Sequence, residues 1–151
     1  MSDNKTVRLK AMDLLARREH SRSELKNKLL FRFSENESEI DVALADLSAE
    51  GLQCDARFCE SYIRVRAERG YGPQRLQQEL RQRGVDEALI SDALGCCDID
   101  WWQQAEAQLI KKFGEGKPSD YKARAKRMRF LQYKGYSQDQ INVTLATLCG
   151  D

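Results

Sequence analysis

Apolar residues recur along this chain at the spacing of one helix face. Val7, Ala11 and Leu15 stand four residues apart, and Phe58 and Tyr62 repeat that interval in the middle of the chain. No segment alternates apolar and polar residues for long enough to form a half-buried strand, and the chain has only 2 prolines. The pattern predicts an all-α protein.

The apolar pattern itself repeats after about 51 residues. Leu25 and Leu29 recur as Leu76 and Leu80, and the second of these recurs again as Leu131. A tandem array of one small unit buries its core between neighbouring copies and exposes a long surface. Such a surface favours binding of a large partner over enclosure of a small substrate.

Helix starts are marked by capping residues. Ser21 with Glu24 and Ser137 with Gln140 both fit the capping-box pattern, and Gly72-Pro73 places proline at a first helical position. With the apolar periodicity, these signals predict helices over residues 5–18, 22–32, 36–49, 55–69, 73–83, 86–96, 100–113, 120–134 and 138–148.

Nine helices in three copies predict three tandem three-helix modules, covering residues 1–51, 52–98 and 99–151. We expect them to form an elongated array, whose curvature the sequence leaves open. No apolar run reaches the ~20 residues that a membrane span requires, and the N-terminus lacks the apolar core of a signal peptide. We therefore expect a cytoplasmic protein that does not engage membranes.

Candidate catalytic and metal-binding residues are few. The 5 cysteines are an odd number without zinc-site spacing, and the single histidine, His20, has no second imidazole to share a metal. Ser21 follows His20 directly, but Glu24 completes a capping box, which is the better interpretation of that serine. We expect no cofactor, no metal and no enzymatic activity.

The formal net charge is only +1, but the charges are distributed unevenly. Eight acids and one base, Arg57, lie between Glu35 and Glu60, whereas nine bases and two acids lie between Lys111 and Lys134. A balanced total can therefore conceal a cationic face that meets an anionic partner.

The predicted helix over residues 120–134 divides into two faces. The face that we expect to bind contains Lys122, Lys126, Arg129 and Tyr133. The face that we expect in the core contains Tyr121, Ala125, Met128 and Leu131. No acid interrupts residues 121–134, so pairing along this helix cannot neutralise the cations. Further binding candidates nearby are Lys111, Lys112, Arg127 and Lys134.

A second basic cluster lies in the middle module. Its members are Arg64, Arg66, Arg69, Arg75, Arg81 and Arg83. Glu79 stands four residues from both Arg75 and Arg83, so a solvated, internally paired face explains this cluster as well as a binding face does. Of the adjacent Trp101 and Trp102, we expect one in the core and the other partly exposed.

Four segments of the chain carry distinctive motifs: Arg17-Arg18-Glu19-His20-Ser21-Arg22-Ser23-Glu24-Leu25, Gly70-Tyr71-Gly72-Pro73 continuing to Arg83-Gly84-Val85, Cys97-Asp98-Ile99-Asp100-Trp101, and Arg129-Phe130-Leu131 with Lys134-Gly135-Tyr136. Together they resemble the RecX regulatory family. The likeness spans roughly residues 8–148. One departure is Cys54-Asp55, where the family often carries two acids.

The resemblance implies a regulatory protein that binds the RecA recombinase. Members of the family lie along the groove of the RecA–DNA filament and limit its extension, ATP hydrolysis, strand exchange and coprotease activity, which modulates recombination, DNA repair and the SOS response. We expect a monomer whose basic clusters contact RecA, and DNA directly if the filament exposes it there. The alternative is a helical nucleic-acid-binding protein without a dedicated protein partner, since three-helix units resemble helix-turn-helix domains.

Overall fold

A computed structural model describes residues 2–149 of the backbone and the side chains of residues 4–148. Within that range the chain forms nine α-helices and no strand, which confirms the all-α prediction. The helices are α1 (Ser2–Arg17), α2 (Arg22–Arg32), α3 (Glu37–Ala49), α4 (Asp55–Glu68), α5 (Pro73–Gln82), α6 (Glu87–Cys96), α7 (Trp101–Phe113), α8 (Tyr121–Lys134) and α9 (Gln138–Cys149). In the described part of the chain, no helix has the length and apolar character that crossing a membrane requires.

The predicted capping boxes are present. Ser21 Oγ accepts from the Glu24 backbone N–H at 3.0 Å, and Glu24 Oε1 accepts from the Ser21 N–H at 3.1 Å. Ser137 and Gln140 form the same reciprocal pair at the start of α9. Each box satisfies amide donors that a helix start leaves without an intrahelical partner.

The chain divides into two compact units. Unit 1 consists of residues 1–62 and 80–93, and unit 2 of residues 63–79 and 94–151. In unit 1, the buried core of α1, α2 and α3 contains Val7, Ala11, Leu25, Leu29, Ile40, Ala43, Leu44 and Leu47. In unit 2, the buried apolar residues of α7, α8 and α9 include Trp101, Ala105, Leu109, Leu131, Ile141 and Leu145. Each fully buried aliphatic side chain contributes ~1.5–3 kcal/mol by removal from water.

The exposure of three aromatic residues can be compared with the predicted core. Trp101 is 8% exposed and Trp102 is 47% exposed, which confirms that the adjacent indoles occupy different environments. The prediction that Tyr121 faces the core is wrong, because this ring is 86% exposed. Tyr121 is the first residue of α8, and helical side chains lean toward the N-terminus. Its ring therefore points toward the N-terminal end of α8, away from the core.

Candidate cationic interface on the eighth helix

In unit 1, the loop that enters α2 binds the end of α5. Ser21 Oγ donates to the carbonyl oxygen of Arg83 at 2.8 Å. Gln53 Nε2 donates to the carbonyl oxygen of His20 at 3.3 Å, which fixes the same loop from the start of α4. Two long-range hydrogen bonds therefore set where α2 begins relative to the end of α5.

Unit 2 contains the equivalent contact, displaced by 51 residues in sequence. The Gly72 N–H donates to the carbonyl oxygen of Lys134 at 2.7 Å, and Gln104 Nε2 donates to the carbonyl oxygen of Tyr71 at 3.1 Å. Tyr136 adds a hydroxyl that donates to the Gly70 carbonyl oxygen at 2.8 Å. Burial raises the pKa of Tyr136 to about 12, so this hydroxyl remains a donor at neutral pH. The contact fixes the C-terminal end of α8 against the start of α5.

Two glycines permit this close approach. A methyl group on Gly135 would lie 2.2 Å from Arg75 Cβ and 2.7 Å from Arg75 N, and its φ of +99° is left-handed. A methyl group on Gly72 would lie 2.6 Å from the Gly135 carbonyl carbon. Glycine is therefore required at both positions for α5 and α8 to meet.

Arg66, Arg75 and Lys134 surround the ring of Tyr71. Arg66 Cζ lies 4.0 Å, Arg75 Cζ 4.4 Å and Lys134 Nζ 4.1 Å from the ring centroid. Glu79 accepts from Arg66 Nη2 at 2.9 Å and from Arg75 Nε at 3.1 Å, which confirms the predicted pairing of Glu79 with Arg75. Cation–π contacts with the tyrosine ring and ion pairs with this carboxylate together offset the repulsion among the three positive charges.

The predicted binding face of α8 is exposed along its length. Lys122, Lys126 and Arg129 are exposed, and none of them forms an ion pair or hydrogen bond with another described residue. Tyr133 is 69% exposed, and Arg75 Cζ lies 4.8 Å from the centroid of its ring. Arg75 Nη1 also donates to the Tyr133 carbonyl oxygen at 3.0 Å, so the guanidinium group is held against this tyrosine.

Arg127 lies apart from this exposed face. Its side chain is buried, with Nη1 donating to the Gly116 carbonyl oxygen at 2.8 Å and Cζ 5.4 Å from the centroid of the Phe113 ring. Phe113 also meets Phe130 edge to face, with ring centroids 5.5 Å apart. Arg127 therefore connects the 114–119 segment to α8, and its guanidinium group is not part of the exposed face.

Two arginines in the second predicted cluster are engaged inside unit 1. Arg81 pairs with Glu87. Arg83 Nε lies 3.6 Å from a carboxylate oxygen of Glu24, and its Cζ lies 4.7 Å from the centroid of the Tyr62 ring. A partner would have to compete with these contacts in order to use either guanidinium group.

The remaining candidates are exposed and unpaired. Arg64, Arg69, Lys111 and Lys112 are exposed, and no described acid forms an ion pair with any of them. The carbonyl oxygen of Arg69 accepts a 3.4 Å hydrogen bond from Lys134 Nζ, while its guanidinium group stays exposed. In unit 2 the unpaired cations therefore include the α8 face and these four side chains.

His20 is buried and occupies the position equivalent to Tyr71. Its Nδ1 lies 3.0 Å from the Arg18 carbonyl oxygen and its Nε2 lies 2.9 Å from Lys28 Nζ, as in a neutral ring that donates from Nδ1 and accepts at Nε2. Burial is the main cause that lowers the pKa of His20, and the hydrogen bond to the Arg18 carbonyl opposes it. The positive charges of Arg18 and Lys28 lower this pKa further, and Glu24 raises it slightly. This histidine is a structural residue held by two hydrogen bonds.

Of the described cysteines, Cys59 is buried. Burial raises the pKa of Cys59 to about 11, which keeps its thiol protonated at neutral pH. Among the residues whose side chains are described, no group of three or more His, Cys, Asp or Glu side chains is placed to hold a metal ion. Cys149 lies outside the described side chains.

Comparison with known proteins identifies the family. Residues 55–94 match the family model described as "RecX, second three-helix domain", and residues 98–145 match "RecX, third three-helix domain". The chain is 49% identical over 140 residues to the regulatory protein RecX of Pseudomonas fluorescens, covering 93% of this chain and 90% of that protein. The chain belongs to the RecX family. It is therefore a RecX-type regulatory protein.

Further relatives agree with this assignment. This RecX-family chain is 48% identical over 142 residues to the regulatory protein RecX of Ectopseudomonas mendocina, covering 93% of this chain and 94% of the relative. The crystal structure of RecX from Lactobacillus salivarius superposes with a TM-score of 0.80 over 98% of both chains. At 22% identity that likeness shows a shared fold, which is the RecX arrangement of helices.

Proposed function

We propose that this RecX-family protein binds the RecA recombinase and its filament on DNA. Bound there, it limits filament extension, ATP hydrolysis, strand exchange and coprotease activity, and so modulates recombination, DNA repair and the SOS response. It acts in the cytoplasm as a monomer and needs no cofactor. Membership of the RecX family supports this proposal. The unpaired cations of unit 2 support an anionic partner for this surface.

The observation that carries the proposed surface is the unpaired state of Lys122, Lys126 and Arg129. Side chains three or four residues apart on a helix are ~5–6 Å apart at Cβ, well inside the ~8 Å screening length of physiological salt. Like charges at this spacing repel one another until an anionic partner neutralises them. A filament that carries DNA phosphates supplies such a partner.

Four exposed cations elsewhere in unit 2 are further binding candidates. Arg64, Arg69, Lys111 and Lys112 need not break any ion pair in order to bind, because none is formed with a described acid. Arg66 and Arg75 would first have to release Glu79, at the cost of a partly buried carboxylate. We therefore assign the unpaired cations to direct binding and the paired arginines to support of the surface.

Charge reversal tests the assignment. The triple variant Lys122→Glu, Lys126→Glu and Arg129→Glu should bind RecA filaments more weakly and inhibit RecA ATPase only at higher dose. If the three side chains contact phosphates, a plot of log affinity against log salt concentration should also be less steep for this variant, with the slope smaller in magnitude by ~2–3. Inhibition at the wild-type dose would contradict a role for this face.

A matched control separates a local contact from net charge. Lys5, Arg22 and Arg32 are exposed cations of unit 1, and changing all three to glutamate alters the net charge equally. The α8 assignment predicts near-wild-type inhibition by this control. Equal weakening by both triple variants would mean that total charge, and not the α8 face, determines binding.

The second candidate function is nucleic-acid binding without a dedicated protein partner. The same unpaired α8 face favours it, because exposed lysines and arginines bind phosphates of any nucleic acid. This alternative predicts the same affinity for DNA with and without RecA, and no inhibition of RecA at doses that leave the DNA uncoated. The RecA proposal predicts that RecA adds affinity beyond that of bare DNA.

A further inference from the structure

We propose that Tyr133 is a stacking platform for an unpaired base of single-stranded DNA, while Lys122, Lys126 and Arg129 contact the phosphates beside it. This inference deepens the proposed function, because it rests on the α8 face meeting the DNA of the filament. It adds a residue that recognises the bases themselves, where the cations recognise only charge.

The first observation is the environment of the Tyr133 ring. The side chain is 69% exposed although an arginine contacts it, with Arg75 Cζ 4.8 Å from the ring centroid. Arg75 is itself fixed by Glu79 and by the Tyr133 carbonyl oxygen. The ring is thus supported by a guanidinium group while most of its surface remains available.

The second observation is that the fold does not require an aromatic residue here. The equivalent position of the middle repeat is Gln82, which is exposed, and that of the first repeat is Phe31, which is 95% exposed. Neither side chain is buried as part of the core. Core packing therefore does not explain an aromatic ring at position 133, whose contact with Arg75 leaves most of the ring exposed.

The third observation is the alignment of the ring with the cations. Lys122, Lys126, Arg129 and Tyr133 follow one another at intervals of three or four residues, so they share one face of α8 over ~16 Å of helix length. A strand of nucleic acid offers phosphates to the cations and flat base faces to the ring. A segment of acidic residues alone would neutralise the cations but would offer no flat surface to the ring.

The base must be unpaired, since bases in a duplex stack on one another and expose only their edges. Single-stranded nucleic acid uncovers these faces, and every base carries one, so stacking on tyrosine tolerates any sequence. The probe we choose is oligothymidylate, compared with an abasic oligomer of the same length and the same number of phosphates.

The experiment measures binding of both oligomers in the absence of RecA. Tyr133→Leu, which keeps an apolar side chain of moderate size, should weaken oligothymidylate binding about five- to a hundredfold. It should leave abasic binding and the salt dependence almost unchanged, because the phosphate contacts remain. Tyr133→Phe should retain wild-type affinity for both oligomers.

Phe31→Leu supplies the matched control, since it removes an exposed aromatic residue at the equivalent position of the first repeat, and it should have no effect on either oligomer. Equal affinity of Tyr133→Leu and the wild type for oligothymidylate would overturn the proposal. So would an equal loss on both oligomers, which would indicate disturbed phosphate contacts. If the wild type bound neither oligomer yet still inhibited RecA, stacking would be overturned while the proposed function stood.

Discussion

The meeting of α5 and α8 at Gly135 can be tested by adding one methyl group. Gly135→Ala places a Cβ 2.2 Å from Arg75 Cβ and 2.7 Å from Arg75 N, both on the first turn of α5. The residue also has a φ of +99°, which alanine rarely adopts. The substitution therefore combines backbone strain with overlap of two main chains that are fixed to each other by hydrogen bonds.

The expected loss in the free energy of unfolding is the sum of these two contributions. A left-handed conformation costs a residue with a Cβ ~1–2 kcal/mol, and forcing extra volume into a closely packed contact costs ~1–3 kcal/mol. The 2.7 Å hydrogen bond from the Gly72 N–H to the Lys134 carbonyl oxygen would also lengthen if the chains moved apart. We expect the free energy of unfolding to fall by about 3 kcal/mol.

Two other glycines separate the terms. Gly51 has a φ of +77° and ends α3 with the same type of closing hydrogen bond, from the Leu52 N–H to the Leu47 carbonyl oxygen, as Gly135 ends α8. No atom lies within 4 Å of the position that an added methyl group would take, so Gly51→Ala should show the strain term alone, ~1–2 kcal/mol. Gly95 lies in α6 and does not have a positive φ, and no atom lies within 4 Å of a methyl group added there. Gly95→Ala should therefore raise the free energy of unfolding by ~0.4–1 kcal/mol. Urea unfolding followed by circular dichroism measures all three changes.

The contrast between Gly135 and Gly51 is the decisive comparison, because both have a positive φ at the end of a helix and an added methyl group meets another chain segment only at Gly135. If Gly135→Ala were no more destabilising than Gly51→Ala, the close approach of α5 and α8 would be refuted. Weaker binding of RecA filaments by Gly135→Ala is also expected, since this contact positions Arg75 beside Tyr133.

Two further predictions concern the entry to α2. Ser21→Ala removes both the capping bond to Glu24 and the bond to the Arg83 carbonyl oxygen, so it should lower the free energy of unfolding by ~1–2 kcal/mol; an unchanged value in urea would contradict the capping role. Burial lowers the pKa of His20 in the folded protein below its value of ~6.5 in the unfolded chain. When the pH falls through ~6.5, the unfolded state therefore binds more protons than the folded state, and the free energy of unfolding should decrease. His20→Gln should remove this part of the pH dependence in thermal unfolding at pH 5–8, and an identical pH profile would show that His20 is not its source.

Helices and their caps could be predicted from the sequence because both depend on local spacing. The serine of each capping box stands three residues from its Glu or Gln partner, and the predicted helix starts at 22, 55 and 73 are those of α2, α4 and α5. The exposure of Lys122, Lys126 and Arg129 also followed from helical periodicity alone. Tyr121 was misplaced because periodicity takes no account of where a helix begins.

Contacts between distant residues could not be predicted in the same way. Nothing local to Tyr71 indicates that Arg66, Arg75 and Lys134 surround its ring, since these residues meet only once α4, α5 and α8 are assembled. The repeat does carry one signal of such a contact. Gln53 and Gln104 stand 51 residues apart, and the side-chain amide of each donates to a carbonyl oxygen just before a helix start.

The buried state of Arg127 illustrates the limit of reasoning from charge. Its place in a run of bases favours a binding role, whereas its contacts with Gly116 and Phe113 are formed inside unit 2. Charge density in a sequence therefore indicates which helix is cationic, and the packing of that helix decides which of its cations a partner can reach.

One binding comparison decides whether RecA is the partner of this RecX-family protein. The affinity of the chain for RecA filaments assembled on single-stranded DNA should be compared with its affinity for the same DNA without RecA, at one salt concentration. We expect clearly tighter binding to the filament, with the gain reduced by charge reversal on α8. Equal affinity for filament and bare DNA would exclude a specific interaction with RecA and favour a nucleic-acid-binding protein without a dedicated partner.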